Sequence, residues 1–525
     1  MSKHLTWTNC EHAVVVIIGI HLCSKVWTTS PRKLWKQVFT ATVDLLASAV
    51  PAVGGTLEAE KTKALDDIER DMLGDGDPDA NVVIPSEGLS PSEIVAMSEK
   101  LKHSHSGFAS GKKWGGIYHE AGSEATKLQA EVWGMFNSTN TLYPGVFPAI
   151  RKFEAELIQM VCSMVGEGTC GLLASGGTES ILLAALAYRE TGRRRNITNP
   201  NIICCETAHP AIFKACKYFG IELIKAPYDS SNFQLTPKIV SRYVNRNTVA
   251  VYASAPTFPH GVLDDVEGLG KFCQSKGIGL HVDNCLGGFL LSYLKKQGLL
   301  HGRKFDFNEV PGVTTMSVDL HKYGGTNKGC SVCVFKTEEL RNSTYMPSFD
   351  GCEGLYVTPT LQGSRSGATI AAAWSSILYK GEKGYLAMAK THHNIMTRAK
   401  EVVEKIDGLE LLVDPEGCIL PIIPSKNSTL SIYLVASQME KKGWNLFTGQ
   451  SPAVLGLCVG DVHQKMLGEW ERDLKDAVDH VKANPNEKAT GNAAVYGAAS
   501  TIPDTLLDSI LRQYVNISLR VKPTE

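Results

Sequence analysis

Residues 317–336, SVDLHKYGGTNKGCSVCVFK, are the most telling stretch of this sequence for chemistry. A β-branched run ends in Asp319, and His321 and Lys322 follow ahead of the Gly324–Gly325 turn. A lysine leaving a strand end among bulky neighbours is placed to point into a cleft. Burial there is expected to depress its pKa toward what a Schiff-base amine requires. Alone, such a lysine is more often a surface residue beside a turn, but three other segments shift the balance. GIGLHVDNCLGGF (277–289) sets Asp283 at the carboxyl end of a strand, where α/β sheets hold ligands. A carboxylate there can keep a pyridinium nitrogen protonated. LLASGGTESILLAALAYRE (172–190) reads as a strand, a Gly176–Gly177–Thr178 turn and a helix from about Glu179. That turn offers N–H groups and a hydroxyl to an anion, without the lysine or glycine spacing of a nucleotide loop. ETAHPAIFKACKYFG (206–220) places His209 just past the strand NIICCE, where its ring could stack on an aromatic ligand. A phosphate cradle, a stacking histidine, an acid for a ring nitrogen and an amine, in that order, compose a pyridoxal 5′-phosphate site.

The elements that must position these groups alternate along the chain. NIICCE (201–206), TVAVYAS (248–254), GIGLHVD (277–283), TTMSVD (314–319) and SVCVFK (331–336) are strand candidates separated by amphipathic stretches. This is the pattern of an α/β fold, a mostly parallel sheet covered by helices. Leu467, Trp470, Leu474, Val478 and Val481 recur at helical spacing in a smaller α+β final domain. We expect four parts: anchor and stalk over 1–55, linker and arm over 56–150, the large cofactor domain over 151–384, and the small domain over 385–525. The last boundary follows a Gly-Glu-Lys-Gly loop at 381–384, and residues from about 56 to 91 read as a helix and then a linker containing GDGDPD.

Composition narrows the class. With 53 Lys+Arg against 54 Asp+Glu over 525 residues, no basic excess favours nucleic acid. Fourteen cysteines are too dilute for a disulfide scaffold and suit a reducing compartment. Cys330 and Cys333 lack a second pair at zinc spacing, so packing is the better reading. Adjacent Cys204 and Cys205 face opposite sides of their strand. The DGDPD run (75–79) lacks the twelfth-position Glu of a calcium loop. No metal is expected. The apolar run AVVVIIGIHLC (13–23) is about half the ~20 residues a spanning helix needs. Lys25, Arg32, Lys33 and Lys36, interleaved with Trp27 and Trp35, nevertheless favour a single membrane anchor with everything after it in the cytosol.

These motifs together resemble the pyridoxal-phosphate-dependent group II decarboxylase family, which has the type I aspartate-aminotransferase fold. SGGTES, HVDNCLGGF and DLHKYG are shared in kind with the whole family. NTLYPGVFPAIRKFEAELIQMV (140–161), Lys328 six residues after Lys322, and GSRSGATIAAAW (363–374) indicate its branch of carbon–carbon lyases acting on phosphorylated sphingoid bases. The resemblance covers nearly the whole chain. It implies that Lys322 links to the cofactor, Asp283 meets the pyridine nitrogen, His209 stacks on the ring, and Gly176, Gly177 and Thr178 hold the phosphate, with His321 and Ser364 also at the cofactor. It further implies catalytic roles for Lys328 and Tyr118 and a substrate side formed by Asn140, Tyr143, Lys328 and Arg365. Some of these would come from the second subunit of a homodimer, at the endoplasmic reticulum membrane.

The sequence departs from the family at several points. Tyr143, Pro144 and Gly145 stand where the family has His-Pro-Asp, and a phenol carries no charge at neutral pH. SGKKWGGIYH (110–119) is longer than usual before Tyr118, and Thr326 and Asn327 replace Ala-Pro. The implied reaction is cleavage between C2 and C3 of a phosphorylated long-chain base to a fatty aldehyde and phosphoethanolamine. Its base is Lys328, Tyr118 or a phosphate oxygen; Lys328 also suits a point charge for the substrate phosphate, its preferred role. The main alternative is an amino-acid decarboxylase of the glutamate or aromatic type, which would use the same cofactor residues. A non-enzymatic scaffold would need none of them.

Overall fold

The computed structural model describes residues 31–49, 51–77, 80–102, 111–112, 116–118, 122–352, 354–490, 493 and 502–522. The apolar run 13–23, Lys25 and Trp27 lie outside them. The chain divides into two units, residues 1–106 with 494–525, and residues 107–493.

The first unit is helical: Pro31–Ala49, Pro51–Leu73, Pro91–Lys102 and Asp504–Ser518. Lys36 pairs with Asp504 at 2.8 Å and Arg520 with Glu69 at 2.7 Å, tying the terminal helix to the early ones. The expected helix is present and ends at Leu73, and the described residues after it, 74–77 and 80–90, are irregular. Among the described residues no single helix is long and apolar enough to cross a membrane. Val38–Ala49 with Gly54–Leu73, bent by 111°, passes that test only as a pair.

The second unit is built on a seven-stranded sheet of order β1-β7-β6-β5-β4-β2-β3. Its strands are β1 (Cys170–Ala174), β2 (Asn201–Cys205), β3 (Glu222–Ala226), β4 (Thr248–Ser254), β5 (Gly279–Asp283), β6 (Thr315–Asp319) and β7 (Ser331–Phe335). The five strands anticipated from the sequence are all present, within two residues of their expected ends. Strands β2 to β6 run parallel to one another, and β7 alone is reversed, between β1 and β6. Strands β1, β2, β4, β6 and β7 are buried along their whole length, as a sheet covered on both faces requires. The edge strand β3 exposes Glu222. Because β1 and β6 both oppose β7, they run the same way, and Ala174 and Asp319 both pair with Ser331. The turns after β1 and β6 therefore open at one edge of the sheet, beside the ends of β4 and β5.

A second, antiparallel sheet of order β10-β11-β9-β8 follows. It contains β8 (Leu409–Leu411), β9 (Ile419–Pro424), β10 (Phe447–Gly449) and β11 (Val454–Cys458). The amphipathic helix expected near the C-terminus spans His463–Ala483 and buries Trp470, Leu474, Val478 and Val481. One expectation fails. Residues 381–384 are not a loop but part of the helix Gly367–Lys405, which kinks at Gly381, where φ is 56°. A left-handed residue costs glycine nothing, so the turn is absorbed within the helix.

Candidate active site

The carboxyl edge of the large sheet encloses a cavity of about 460 Å³. Its lining includes Tyr118, Gly176, Gly177, Thr178, His209, Asp283, His321 and Lys322. Strand register explains this convergence. Asp283 is the last residue of β5 and pairs with Ser317 of β6, so Asp319 lies two residues further out on the neighbouring strand. Lys322 leaves the same strand end and reaches back, its Nζ 3.0 Å from Asp319 Oδ2. Bonds from other elements pin the turn behind it. Tyr385 O–H donates to Gly324 O at 2.7 Å and Gln129 Nε2 to Gly325 O at 2.9 Å. Tyr323 O–H donates to Val459 O at 2.5 Å, and its ring meets Tyr118 edge-on at 5.1 Å.

The glycine turn after β1 is shaped for close approach. The helix begins at Gly177, two residues earlier than the sequence suggests. A Cβ on Gly177 would fall 2.5 Å from Cys285 Sγ and 2.8 Å from Asp319 Oδ1. Glu179 locks the turn by accepting Ser175 N–H at 2.6 Å and Leu361 N–H at 3.2 Å. Opposite, His209 caps the helix Pro210–Phe219, its Nδ1 accepting Ala211 N–H at 3.2 Å. A ring with a phosphate, an aldehyde and a basic nitrogen fits these walls. The helix N-terminus with Gly176, Gly177 and Thr178 suits the phosphate, Lys322 the aldehyde, and Asp283 the nitrogen.

Charge in this cavity differs from the expectation in one respect. Burial does work against the Lys322 charge, but the Asp319 carboxylate, with Asp283 further off, outweighs it. The Lys322 pKa is raised, not depressed. Asp319 shows the mirror effect: burial opposes its charge, yet Lys322 and His321 hold its carboxyl well below the usual carboxylate range. Asp283 is likewise lowered against burial, by His209, the Tyr252 O–H, Lys322 and His281.

Lys328 reaches toward this edge. Its Nζ donates to Gly116 O at 2.5 Å and His321 O at 3.2 Å, and lies 5.0 Å from the Tyr118 ring centroid. Burial and the Lys322 charge pull its pKa down. Burial above all pushes the Tyr118 phenol up, which keeps its proton on at neutral pH.

Asn140, Tyr143, Ser364 and Arg365 form a separate group and do not line the cavity of this chain. Asn140 Nδ2 donates to Ser364 Oγ at 2.8 Å, and Tyr143 is more than half exposed. Arg365 makes a forked pair with Glu154, at 2.6 and 3.1 Å, and also meets Leu173 O. Sequence reasoning missed the Asp319–Lys322 pairing, Glu179, Ser317 and Tyr252. The i, i+3 spacing of Asp319 and Lys322 was the one available signal; the others require cross-strand register. Cys204, Cys205, Cys330 and Cys333 are buried and free, and among the described residues no cluster could hold a metal.

The pyridoxal-dependent decarboxylase conserved domain matches residues 115–420. The chain is 34% identical over 500 residues to sphingosine-1-phosphate lyase 1 of Rattus norvegicus, covering 93% of this chain and 87% of the relative. It is 33% identical over 531 residues to the sphingosine-1-phosphate lyase of Saccharomyces cerevisiae, covering 99% and 87%. The solved sphingosine-1-phosphate lyase of Burkholderia pseudomallei superposes with a TM-score of 0.75 at 29% identity, over 84% of this chain and 98% of that one. Glutamate decarboxylase of Lactobacillus brevis, at 17% identity and TM-score 0.66 over 76% and 95%, shares the fold.

The ion pair makes a prediction. Asp319 stabilises the fold above its unfolded pKa, and that contribution is lost as pH falls through its depressed folded value. Lys322 contributes fully below its unfolded pKa and loses its contribution as pH rises through the raised folded value. Asp319→Asn removes the charge that holds Lys322 protonated. In cofactor-free protein at pH 8, an amine-directed reagent should then label Lys322 faster than in wild type. Equal or slower labelling would contradict the pairing.

Proposed function

This chain belongs to the pyridoxal-dependent decarboxylase family and, within it, to the sphingosine-1-phosphate lyases, and on that footing we propose that it cleaves phosphorylated long-chain bases between C2 and C3. The products are a fatty aldehyde and phosphoethanolamine. The observation that carries this reading is the meeting of Lys322, Asp283, His209 and the Gly176–Thr178 helix start around one cavity, in a chain one-third identical to these lyases along nearly its whole length.

Pyridoxal phosphate bound there supplies an electron sink for the pair released at the substrate's α carbon. The protein's groups bind and orient. Lys322 would be the amine that holds the cofactor aldehyde, and Asp283, ionised, would accept a hydrogen bond from the ring N–H and keep that nitrogen protonated. His209 would lie against the ring, with Pro210 fixing the start of its helix. Gly176, Gly177 and Thr178 receive the cofactor phosphate, and His321 lies beside them. Lys328 is the cation that meets the substrate phosphate, with Tyr118 donating beside it. With Lys328 charged against that phosphate, the substrate's own phosphate oxygens are the group left to accept the hydroxyl proton.

The reading extends to assembly and location. Asn140, Tyr143, Ser364 and Arg365 would serve the cavity of a second copy in a homodimer. The exposed apolar side chains Met346, Phe349 and Leu355 favour a contact between copies. The run 13–23 with its basic flank would anchor the chain at the endoplasmic reticulum membrane, catalytic part in the cytosol. The large cofactor domain would cover 151–384 and the small domain 385–525, with the anchor and arm before them.

Two experiments test this. Purified protein given a phosphorylated sphingoid base should release aldehyde, and Lys322→Ala should abolish release; carbon dioxide from glutamate or aromatic amino acids without aldehyde would instead make it a decarboxylase. For the dimer, Lys322→Ala and Asn140→Ala proteins, each inactive alone, should regain up to about a quarter of wild-type activity when mixed and allowed to exchange subunits. No recovery in exchanged mixtures would place Asn140 outside a shared site.

A further inference from the structure

We infer that Tyr252 is a positioning residue for the ring-nitrogen carboxylate, its hydroxyl occupying one oxygen of Asp283 so that a single acceptor position remains for the cofactor. The inference rests on the assignment of Asp283 made above and goes beyond it.

Tyr252 sits in the middle of β4, next to β5, and is 1% exposed. Its O–H donates to Asp283 Oδ2. The other oxygen, Oδ1, accepts Ser317 Oγ–H at 3.1 Å and Cys285 N–H at 3.1 Å. An ionised carboxylate offers about four lone-pair sites, and three are taken by the protein.

The proton arrangement behind this carboxylate is fixed by elimination. Ser317 has one hydroxyl proton and gives it to Asp283, so its contact with His281 Nε2 at 3.4 Å makes His281 the donor there. His281 is buried and pushed down to about 4, hence neutral, so its Nδ1 accepts from Thr315 Oγ1 at 2.8 Å. Behind Thr315 lies the Tyr188 hydroxyl, 2.6 Å from its Oγ1. Every donor in the line Thr315–His281–Ser317 points toward Asp283, and such chains polarise one another. Tyr252 closes the far side, its ring stacked on His281 at 5.3 Å. The groups facing Asp283 are thus Tyr252, His281, Ser317 and Cys285, with His209 and Lys322 toward the cavity.

The consequence is a weakly basic carboxylate that leaves its proton on the cofactor ring. Removing the Tyr252 hydroxyl makes Asp283 more basic and returns ring positive charge less completely to the cofactor. In Tyr252→Phe, cofactor Kd should rise about tenfold, as for loss of one hydrogen bond to a charged group. The pH midpoint of the cofactor's visible absorption band should rise by about one unit. Replacing Tyr252 with 3-fluorotyrosine, a stronger donor of the same shape, should move that midpoint the opposite way. Cofactor binding to apoprotein is read by fluorescence and the midpoint by absorbance titration of the holoenzyme. Tyr252→Phe with a lowered melting temperature but wild-type Kd and midpoint would reduce Tyr252 to packing and overturn the inference. If Tyr252→Phe does not fold, an unshifted midpoint in the 3-fluorotyrosine protein overturns it equally. Wild-type protein that takes up no cofactor would overturn the assignment of the site itself, a distinguishable failure.

Discussion

Two carboxylates, buried at the ends of adjacent parallel strands and facing one lysine, set the terms for the rest of this structure. Burying a charge is costly unless it is paired and hydrogen-bonded. Asp319 is answered by Lys322, and Asp283 by Tyr252, Ser317 and the backbone of Cys285. Those partners come from β4, β5, β6 and the turns beyond them, so the site exists only if the sheet forms in this register. A slip of one residue between β5 and β6 would turn Asp283 from the cavity into the opposite face. The reversed strand β7 belongs to the same constraint. By separating β1 from β6 while keeping their directions equal, it brings the glycine turn and the lysine turn to either side of Ser331.

Much of the site was legible because each of its parts is local. Lys322, Asp283, His209 and Gly177 each follow a strand whose apolar run is visible, and in a parallel sheet consecutive strands end at one edge. Four independent segments therefore converge without any long-range contact being known. What was not legible depends on register or on competition between charges. The depressed lysine expected from burial overlooked Asp319, three residues away, whose carboxylate reverses the shift. Tyr252 reads as one more apolar-sheet residue in TVAVYAS until β4 is laid beside β5. The forked pair of Arg365 with Glu154 joins residues 211 positions apart, and no motif announces it. Gly381 illustrates the reverse error, a turn-like cluster that helix packing converts into a kink.

The neutral overall charge and the anionic ligands are compatible because the cations are local. Lys322 and Lys328 stand within one edge of the sheet, and helix N-termini add partial positive charge there. A balanced sum over the chain reports on solubility and nonspecific binding, not on the field inside one cleft. The balance that excludes nucleic acid as an expected partner thus coexists with a site suited to phosphate.

The central claim is that Lys322, and not the nearby Lys328, carries the cofactor. Borohydride reduction of the protein loaded with pyridoxal phosphate, followed by peptide mapping, reads this directly. The modified lysine should be Lys322, in stoichiometric yield. Modification at Lys328 or at scattered surface lysines, with Lys322 unmodified, would contradict the account.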